Sequence, residues 1–511
     1  MRVALAAVLL EIGRLAALGA QCPDGSPSPC TRLAPHPPAA TSVAVLYFDN
    51  LSRDTSEAYV ADGLTEELIT RLGEIQRLQV KSRTAVQRYR GKPIADPAAL
   101  GRSLNVVHLV SGTVQQGAGR LRVTVELTRA ASGTRVWGES YERPATDLMA
   151  VEAEIAQAIA EGVGGRLAPA ERRSLAARPS RNPDAYDHYL RGNYFLARRN
   201  PTDARFAIDQ YQKAIGLDSA FTAALARIGY TYGLFLDWGW TYPGLPWDSL
   251  LSRGVALADR ALTLDSTSAD VWMTRGYLLS FQNPRTFAGV DGAFQRAIAL
   301  DPRNSEAYHQ YGFLLMIGGR DSAADRMFAR ALALEPERPI TLVATGFLRR
   351  LHRRDVEAIA LCDSAIAIAP DAAWIYARRS LWRPRSDIAR SLADAQTADR
   401  LKPPDYPIEA EAALALAEMR SGDTTARVRL TRLARGSSPF GSQAAHFLSG
   451  AFAAIGDTDR AVDVLQRTVP RGAYVWWVIR DPWFDGIRDD PRIRAMVEES
   501  RPPNAEQLPQ R

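Results

Sequence analysis

Three short stretches of the chain decide its fold: residues 297–302 (AIALDP), 331–336 (ALALEP) and 365–370 (AIAIAP). Consecutive stretches begin 34 residues apart. Each stretch has the pattern of a helix end, because small and aliphatic residues lead to a proline that cannot continue the helix. A fixed period of this length predicts an array of stacked helix pairs.

The same pattern extends in both directions along the chain. Earlier copies are residues 214–218 (AIGLD) and 261–265 (ALTLD), and weaker copies follow at 412–433 and 444–469. A glycine recurs where the two helices of a pair would cross, at Gly192, Gly229, Gly276, Gly312 and Gly346. Over residues 183–470 the array resembles the tetratricopeptide repeat (TPR). We therefore predict an all-α superhelical solenoid of seven or eight helix pairs.

The pattern changes in residues 42–168. Short apolar runs and alternating stretches there predict strand, helix, strand, helix, three strands and a closing helix, which is a compact α/β module. The stretches SVAVLYFDN (42–50), YVADGLTEELITRL (59–72) and RVTVELTRAASGTRVWGESYER (122–143) resemble the TolB amino-terminal-like domain. In bacterial multidomain regulators that domain stands between an N-terminal effector and TPR repeats, the effector being an adenylate cyclase, a kinase or a DNA-binding domain. Since only about 40 residues precede the module, we expect no effector in that position.

Residues 1–20 have the features of an export signal. Arg2 is followed by an apolar run at 3–10 and by small residues at 18–20, which predicts a periplasmic or extracellular location. An amphipathic N-terminal helix on a cytoplasmic protein is the alternative. Residues 21–41 form a Pro/Ser-rich linker, in which Cys22 and Cys30 could close a disulfide in an oxidising compartment. Lipid attachment at Cys22 is another possibility.

The composition and motifs do not point to an enzyme. The net charge is +6, and 59 of the 63 basic residues are arginines mixed with acidic residues along the chain, so we expect no nucleic-acid partner. Phosphate loops, nucleophile elbows, HExxH and CxxC motifs are absent from the sequence. We therefore predict a non-catalytic chain without metal or cofactor. An unrecognised hydrolase in the α/β module is a further hypothesis.

The resemblance to TPR proteins implies a protein or peptide partner on the concave surface, which the first helix of each pair lines. Positions three before, one after and four after each crossing glycine should face inward. The partner-binding residues so predicted are Tyr189, Asn193, Tyr230, Met273, Tyr277, His309, Phe313, Met316, Phe347 and Arg350. Aromatic and methionine side chains of this kind can repack around the apolar side chains of a partner.

Two further segments are rich in aromatic residues. An insertion at 233–247 carries Trp238, Trp240 and Trp247, which suits either a lid packed on the solenoid or an exposed secondary patch. Residues 471–511 carry three more tryptophans and are predicted to form an aromatic cap over the last repeat.

Two functions follow from the sequence. The first is a protein-binding scaffold whose repeats capture a protein or peptide while the α/β module docks a second partner or senses a ligand. The second is a regulatory or sensor subunit acting in trans on a cyclase, a kinase or a transcription regulator.

Overall fold

The structure is a computed structural model that describes residues 38–52, 57–403, 408–436 and 440–506. Residues 1–20 and the Cys22–Cys30 pair, for which we predicted an export signal and a disulfide, lie outside these residues. Cys362 is a buried free thiol. Among the described helices, none is long and apolar enough to cross a membrane.

The α/β module is a mixed sheet with helices on both faces. Its strands run in the order β3-β1-β4-β5-β6, and β2 pairs with β4 beyond the end of β1. β1 is parallel to β3 and β4, whereas β4, β5 and β6 form an antiparallel meander. The strands are β1 (Ser42–Val45), β2 (Asp49–Asn50), β3 (Gln79–Val80), β4 (His108–Gly117), β5 (Arg120–Arg129) and β6 (Thr134–Pro144).

Alternating side chains on β5 explain how the sheet is covered. Leu121, Val123, Val125 and Leu127 are buried on one face, against the long helices that flank the sheet. Shorter helices cover part of the opposite face. The module helices are α1 (Ala58–Gly73), α2 (Arg83–Gln87), α3 (Pro97–Leu104), α4 (Leu148–Gly164) and α5 (Pro169–Ala176).

The rest of the described chain is helical. Eight consecutive helix pairs occupy its described part from Pro183 to Gln466, in agreement with the predicted count. Their helices are α6 (Pro183–Leu196), α7 (Pro201–Leu217), α8 (Thr222–Trp238), α9 (Trp247–Leu264), α10 (Ala269–Gln282), α11 (Val290–Leu300), α12 (Ser305–Ile317), α13 (Asp321–Leu334), α14 (Pro339–Leu351), α15 (Asp355–Ile368), α16 (Ala373–Trp382), α17 (Ile388–Leu401), α18 (Ile408–Arg420), α19 (Ala426–Gly436), α20 (Ser442–Ala454) and α21 (Thr458–Gln466).

The crossing glycines lie where the two helices of a pair approach each other closely, as predicted. At Gly312 an added Cβ would lie 2.8 Å from Cδ1 of Phe328 on the second helix of the pair. At Gly276 it would lie 2.8 Å from Cδ2 of Phe294. The aromatic ring of one helix therefore fills the space that the missing side chain leaves on the other.

The module packs directly against the solenoid. Tyr186 and Leu190 of α6 belong to the buried cluster of the module. The Tyr59 hydroxyl donates to Asp187 at 2.5 Å. Farther along the solenoid, the Arg303 Nη1 donates to the Leu78 carbonyl at 2.8 Å. The module thus contacts both the first helix pair and the connection that precedes α12.

A segment at 471–506, called the closing segment below, follows the eighth pair. It comprises α22 (Ala473–Ile479), a 3₁₀ turn (Pro482–Gly486) and α23 (Pro491–Ser500). We predicted that this segment caps the last repeat. It does pack against that repeat, where the Trp483 ring stacks on His446 of α20. It also packs against the first helices of several earlier pairs, because its aromatic side chains lie on the apolar inner surface of the superhelix.

Candidate functional site

The closing segment lies against the inner face of the middle repeats. The Tyr474 ring stacks on Phe281 of α10 with a centroid distance of 5.6 Å. The Trp477 ring lies 5.7 Å from Phe313 of α12 and 5.1 Å from Phe347 of α14. The surface predicted to receive a partner is therefore largely covered by this chain's own residues.

A buried ion pair anchors the same segment. Arg350 Nη2 lies 3.1 Å from Oδ1 of Asp481, whose side chain is fully buried. His446 Nε2 lies 3.2 Å from the other Asp481 oxygen. Burial alone would raise the pKa of Asp481, but the Arg350 guanidinium and the His446 hydrogen bond outweigh it and hold that pKa well below its usual range.

The free energy of burial indicates that the closing segment is a stable part of the inner surface of the superhelix. Tyr474, Trp477, Val478 and Phe484 are fully buried. Burial of a large apolar side chain contributes roughly 1.5–3 kcal/mol, so four of them contribute on the order of 6–12 kcal/mol. That is comparable with the net stability of a whole domain.

The superhelix also closes on itself where the first helix of the eighth pair meets the second pair. The Ser442 hydroxyl of α20 donates to Oδ1 of Asp237 in α8 at 2.5 Å. A Cβ added at Gly239 would lie 2.6 Å from the Gly441 nitrogen, so only glycine permits this backbone approach. Burial raises the pKa of the Asp237 carboxyl to about 6, although hydrogen bonds from Ser442 and Tyr277 oppose the shift.

A narrow groove, called the inner groove below, remains between these walls and has a volume of about 50 Å³. This space accommodates a small side chain or a few water molecules. The first helices of the second to sixth pairs supply most of its lining. The lining residues are Arg199, Leu234, Asp237, Trp238, Tyr277, His309, Gln310, Phe313, Ile340, Val343, Ala344, Phe347, Trp374, Arg378 and Gln443.

Four of the ten predicted partner-binding residues line the inner groove: Tyr277, His309, Phe313 and Phe347. All four stand three before or one after a crossing glycine, so residues at these two offsets can face the inner groove. The prediction missed the position two before the glycine, which contributes Gln310 and Ala344. It could have been found from the sequence, because the positions two before and one after the glycine are three residues apart and share a helix face.

The other six predicted residues serve packing in the structure. Tyr189 lies 4.9 Å from the Phe221 ring, and Asn193 accepts a hydrogen bond from Tyr211. Tyr230 donates to Glu306, whereas Met273 is buried in the solenoid core. The two residues four after a crossing glycine, Met316 and Arg350, contact the closing segment.

The polar side chains of the inner groove differ in whether they carry a charge. The His309 imidazole accepts or donates a hydrogen bond at 3.1 Å with Thr341. Burial lowers the pKa of His309 to about 3, and the Arg199 charge adds to the effect, so this histidine is neutral at physiological pH. Arg378 donates to Gln443 at 3.1 Å, and its guanidinium carbon lies 4.7 Å from the centroid of the Phe447 ring.

The tryptophan insertion is packed, which is the first of its two predicted alternatives. Trp240 is buried and meets the Phe235 ring edge-on at 5.5 Å. Trp247 meets Phe281 in the same way at 6.3 Å. Trp238 lies 6.0 Å from Trp240 and lines the inner groove. The insertion therefore forms part of the groove wall.

Residues 293–325 match a family model for the tetratricopeptide repeat. These residues span the crossing at Gly312, so the repeat region of this chain is of the TPR type. Within the ranges that the structure describes, no group of three or more His, Cys, Asp or Glu side chains could hold a metal ion.

The chain is also similar to a putative adenylate cyclase 3 of Rhizobium meliloti (strain 1021). The two are 29% identical over 247 residues, which is 48% of this chain and 41% of that protein. The match thus spans less than half the length of the cyclase.

Among solved structures, the thermophilic TPR protein TTC0263 of Thermus thermophilus is 17% identical, with a TM-score of 0.33. That match covers 39% of this chain and 98% of TTC0263. Yeast Tom70 is 14% identical with a TM-score of 0.40, over 70% of this chain and 82% of Tom70.

Proposed function

We propose that this chain is a non-catalytic protein-binding scaffold whose partner inserts an apolar side chain into the inner groove. The single observation that carries the proposal is the inner groove itself, which the TPR helices leave open between aromatic walls. Phe313 and Trp374 are only half buried there, so their rings can still gain contacts from a partner. Aromatic anchors that a partner covers completely usually dominate the binding energy.

The size of the groove sets what the partner presents. A volume of about 50 Å³ admits one anchoring side chain and excludes a whole extended peptide. The remaining contacts would then lie at the mouth of the groove, where Arg199 is partly exposed. Charges in such rim positions mainly affect the rate of association.

A variant that fills the groove tests the proposal. Ile340 is half buried and lines the groove, so Ile340→Trp should block entry of the anchor. Val356→Trp adds the same ring at an outer position that is 83% exposed and is the matched control. Proteins captured from source cells with the parent and the control, but lost with a folded Ile340→Trp variant, would support the proposal. Identical capture by all three would refute it.

A second candidate function is regulation of a nucleotide cyclase in trans. The similarity to a putative adenylate cyclase favours it, and so does the resemblance of residues 42–168 to the TolB amino-terminal-like domain. If the chain acts in this way, the purified protein should change the rate of cyclic nucleotide formation by a cyclase from the same cell. An unchanged rate over a range of protein concentrations would exclude this function.

We further propose export to the periplasm or the cell exterior, on the basis of residues 1–20 alone. Native protein should then begin near Gln21, and Cys22 and Cys30 should form a disulfide. N-terminal sequencing that finds Met1 in native material would exclude export with cleavage.

A further inference from the structure

A second, larger cavity lies in the α/β module, with a volume of about 720 Å³. This volume is within the range of sites for small molecules. Its floor is the face of the sheet opposite the long helices α1 and α4. The register places Asp49 of β2 beside Thr113 of β4, and Thr113 beside Thr124 of β5. The Thr124 hydroxyl continues the row to Ser140 of β6, at 3.3 Å.

The walls combine aromatic rings with aliphatic side chains. Tyr47 stands at the end of the parallel strands, and Tyr89 bonds to Ser103 of α3 at 2.7 Å between the two hydroxyl oxygens. Ile94 lines the cavity and is 38% exposed, so part of its apolar surface faces solvent. The guanidinium groups of Arg90 and Arg88 each lie over one face of these two rings, those of Tyr47 and Tyr89. A ligand in this cavity would have the tyrosine side chains at its sides and a row of polar groups beneath it.

The charges around the cavity exclude one class of ligand. Three carboxylates, those of Asp49, Asp96 and Glu126, line it together with one ammonium group, that of Lys92. Arg135 pairs with Glu126 at 3.4 Å, so Asp49 and Asp96 against Lys92 leave the lining net negative. An anionic ligand such as a phosphate would therefore meet a net negative surface. Hydroxyl side chains both donate and accept hydrogen bonds, and carboxylates accept them, so this lining complements a molecule that carries several hydroxyl groups.

We propose that this cavity binds a neutral or cationic polyhydroxylated molecule of the size of a sugar or amino sugar. Its hydroxyl groups pair with the row formed by Asp49, Thr113 and Thr124, and its apolar face lies against the tyrosine rings. The amino group of an amino sugar is attracted to the carboxylates.

The cavity wall is linked to the solenoid through one short segment, residues 88–92. Tyr89, Gly91 and Lys92 of this segment line the cavity. Its first residue, Arg88, forms an ion pair at 3.1 Å with Glu337, which lies just before α14. Binding of a sugar should therefore slow amide hydrogen exchange in residues 88–92, and this gives a readout that does not depend on the affinity measurement.

Titration calorimetry on the full chain tests the proposal with three probes of similar size and different charge: glucosamine, glucose and glucose 6-phosphate. We expect glucosamine and glucose to bind with a Kd of about 1 mM, as suits a small polar ligand. Glucose 6-phosphate should bind at least tenfold more weakly. Thr124→Val should weaken glucosamine binding at least tenfold, because it removes one of the two hydroxyl groups of the row.

Thr128→Val is the matched control, since Thr128 lies on the same strand but does not line the cavity. It should leave the affinities unchanged. The proposal fails if neither glucosamine nor glucose binds the parent at 20 mM, or if glucose 6-phosphate binds as well as glucose. It also fails if Thr124→Val and Thr128→Val bind glucosamine equally.

Discussion

The crossing glycine of the fourth helix pair gives a sharp test of the repeat register. Replacing Gly312 by leucine adds four carbon atoms where the first of them would already lie 2.8 Å from Phe328 Cδ1 and 3.1 Å from Met327 Cβ. Phe328 is fully buried, so a shift of its ring would disturb the residues packed around it. Overpacking of this kind costs about 1–3 kcal/mol, and a leucine restores up to about 1 kcal/mol of helix propensity. Because the contact is this close, we expect a cost at the upper end of the overpacking range and a net loss of about 2 kcal/mol.

The matched control is the same substitution at Gly292 in α11. There an added Cβ meets nothing within 4 Å, and the position is exposed. Gly292→Leu should therefore leave stability unchanged or raise it by up to about 1 kcal/mol, through helix propensity alone. The assay is the urea midpoint followed by circular dichroism at 222 nm. Equal midpoints for the two variants would show that Gly312 is not a close crossing point and that the register is wrong.

Three further predictions concern the walls of the inner groove. Because burial raises the pKa of Asp237 to about 6, its contribution to stability is complete below the unfolded pKa near 4 and is lost as pH rises through 6. The free energy of unfolding of the parent should fall between pH 4 and 7 by roughly 1–3 kcal/mol more than that of Asp237→Asn. Parallel pH profiles would contradict this assignment. Arg350→Met should leave Asp481 buried without its cation and lower the free energy of unfolding by about 3–5 kcal/mol. Residues 471–506 should then become sensitive to protease. An unchanged digestion pattern would show that the ion pair does not hold the segment. Phe313→Ala should weaken binding of a captured partner about thirtyfold, equivalent to about 2 kcal/mol, with little dependence on salt; strong weakening of the parent by salt would indicate an electrostatic surface instead.

The local sequence pattern predicted the repeats well, but only the general order of strands and helices in the module. A 34-residue step, an Ala-rich helix end and a crossing glycine all follow from contacts within one helix pair, so they are visible in sequence. Strand alternation likewise predicted β4 and β5. The two-residue strand β2 and the five-residue helix α2 were missed, because neither carries a periodicity or a run of apolar residues.

The sequence predicted which side chains face inward, but not which residues they contact. The offsets from the crossing glycine identified Phe313 and Phe347 as inward-facing, which the structure confirms. Their contacts with Trp477 could not be predicted, because Trp477 lies more than 100 residues away and no local sequence pattern indicates such a contact. For the same reason Arg350, expected to bind a partner, is paired with Asp481 of the chain itself.

Site-specific photo-crosslinking tests the central claim most directly. A benzophenone amino acid in place of Phe313 puts the reactive group in the inner groove, and the same amino acid in place of Val356 puts it on the outer surface. Circular dichroism would first establish that both variants are folded. If the groove receives the anchor of a protein partner, the captured partner should crosslink from position 313 and not from position 356. Crosslinking from position 356 alone would contradict the account and assign binding to the outer surface of the solenoid.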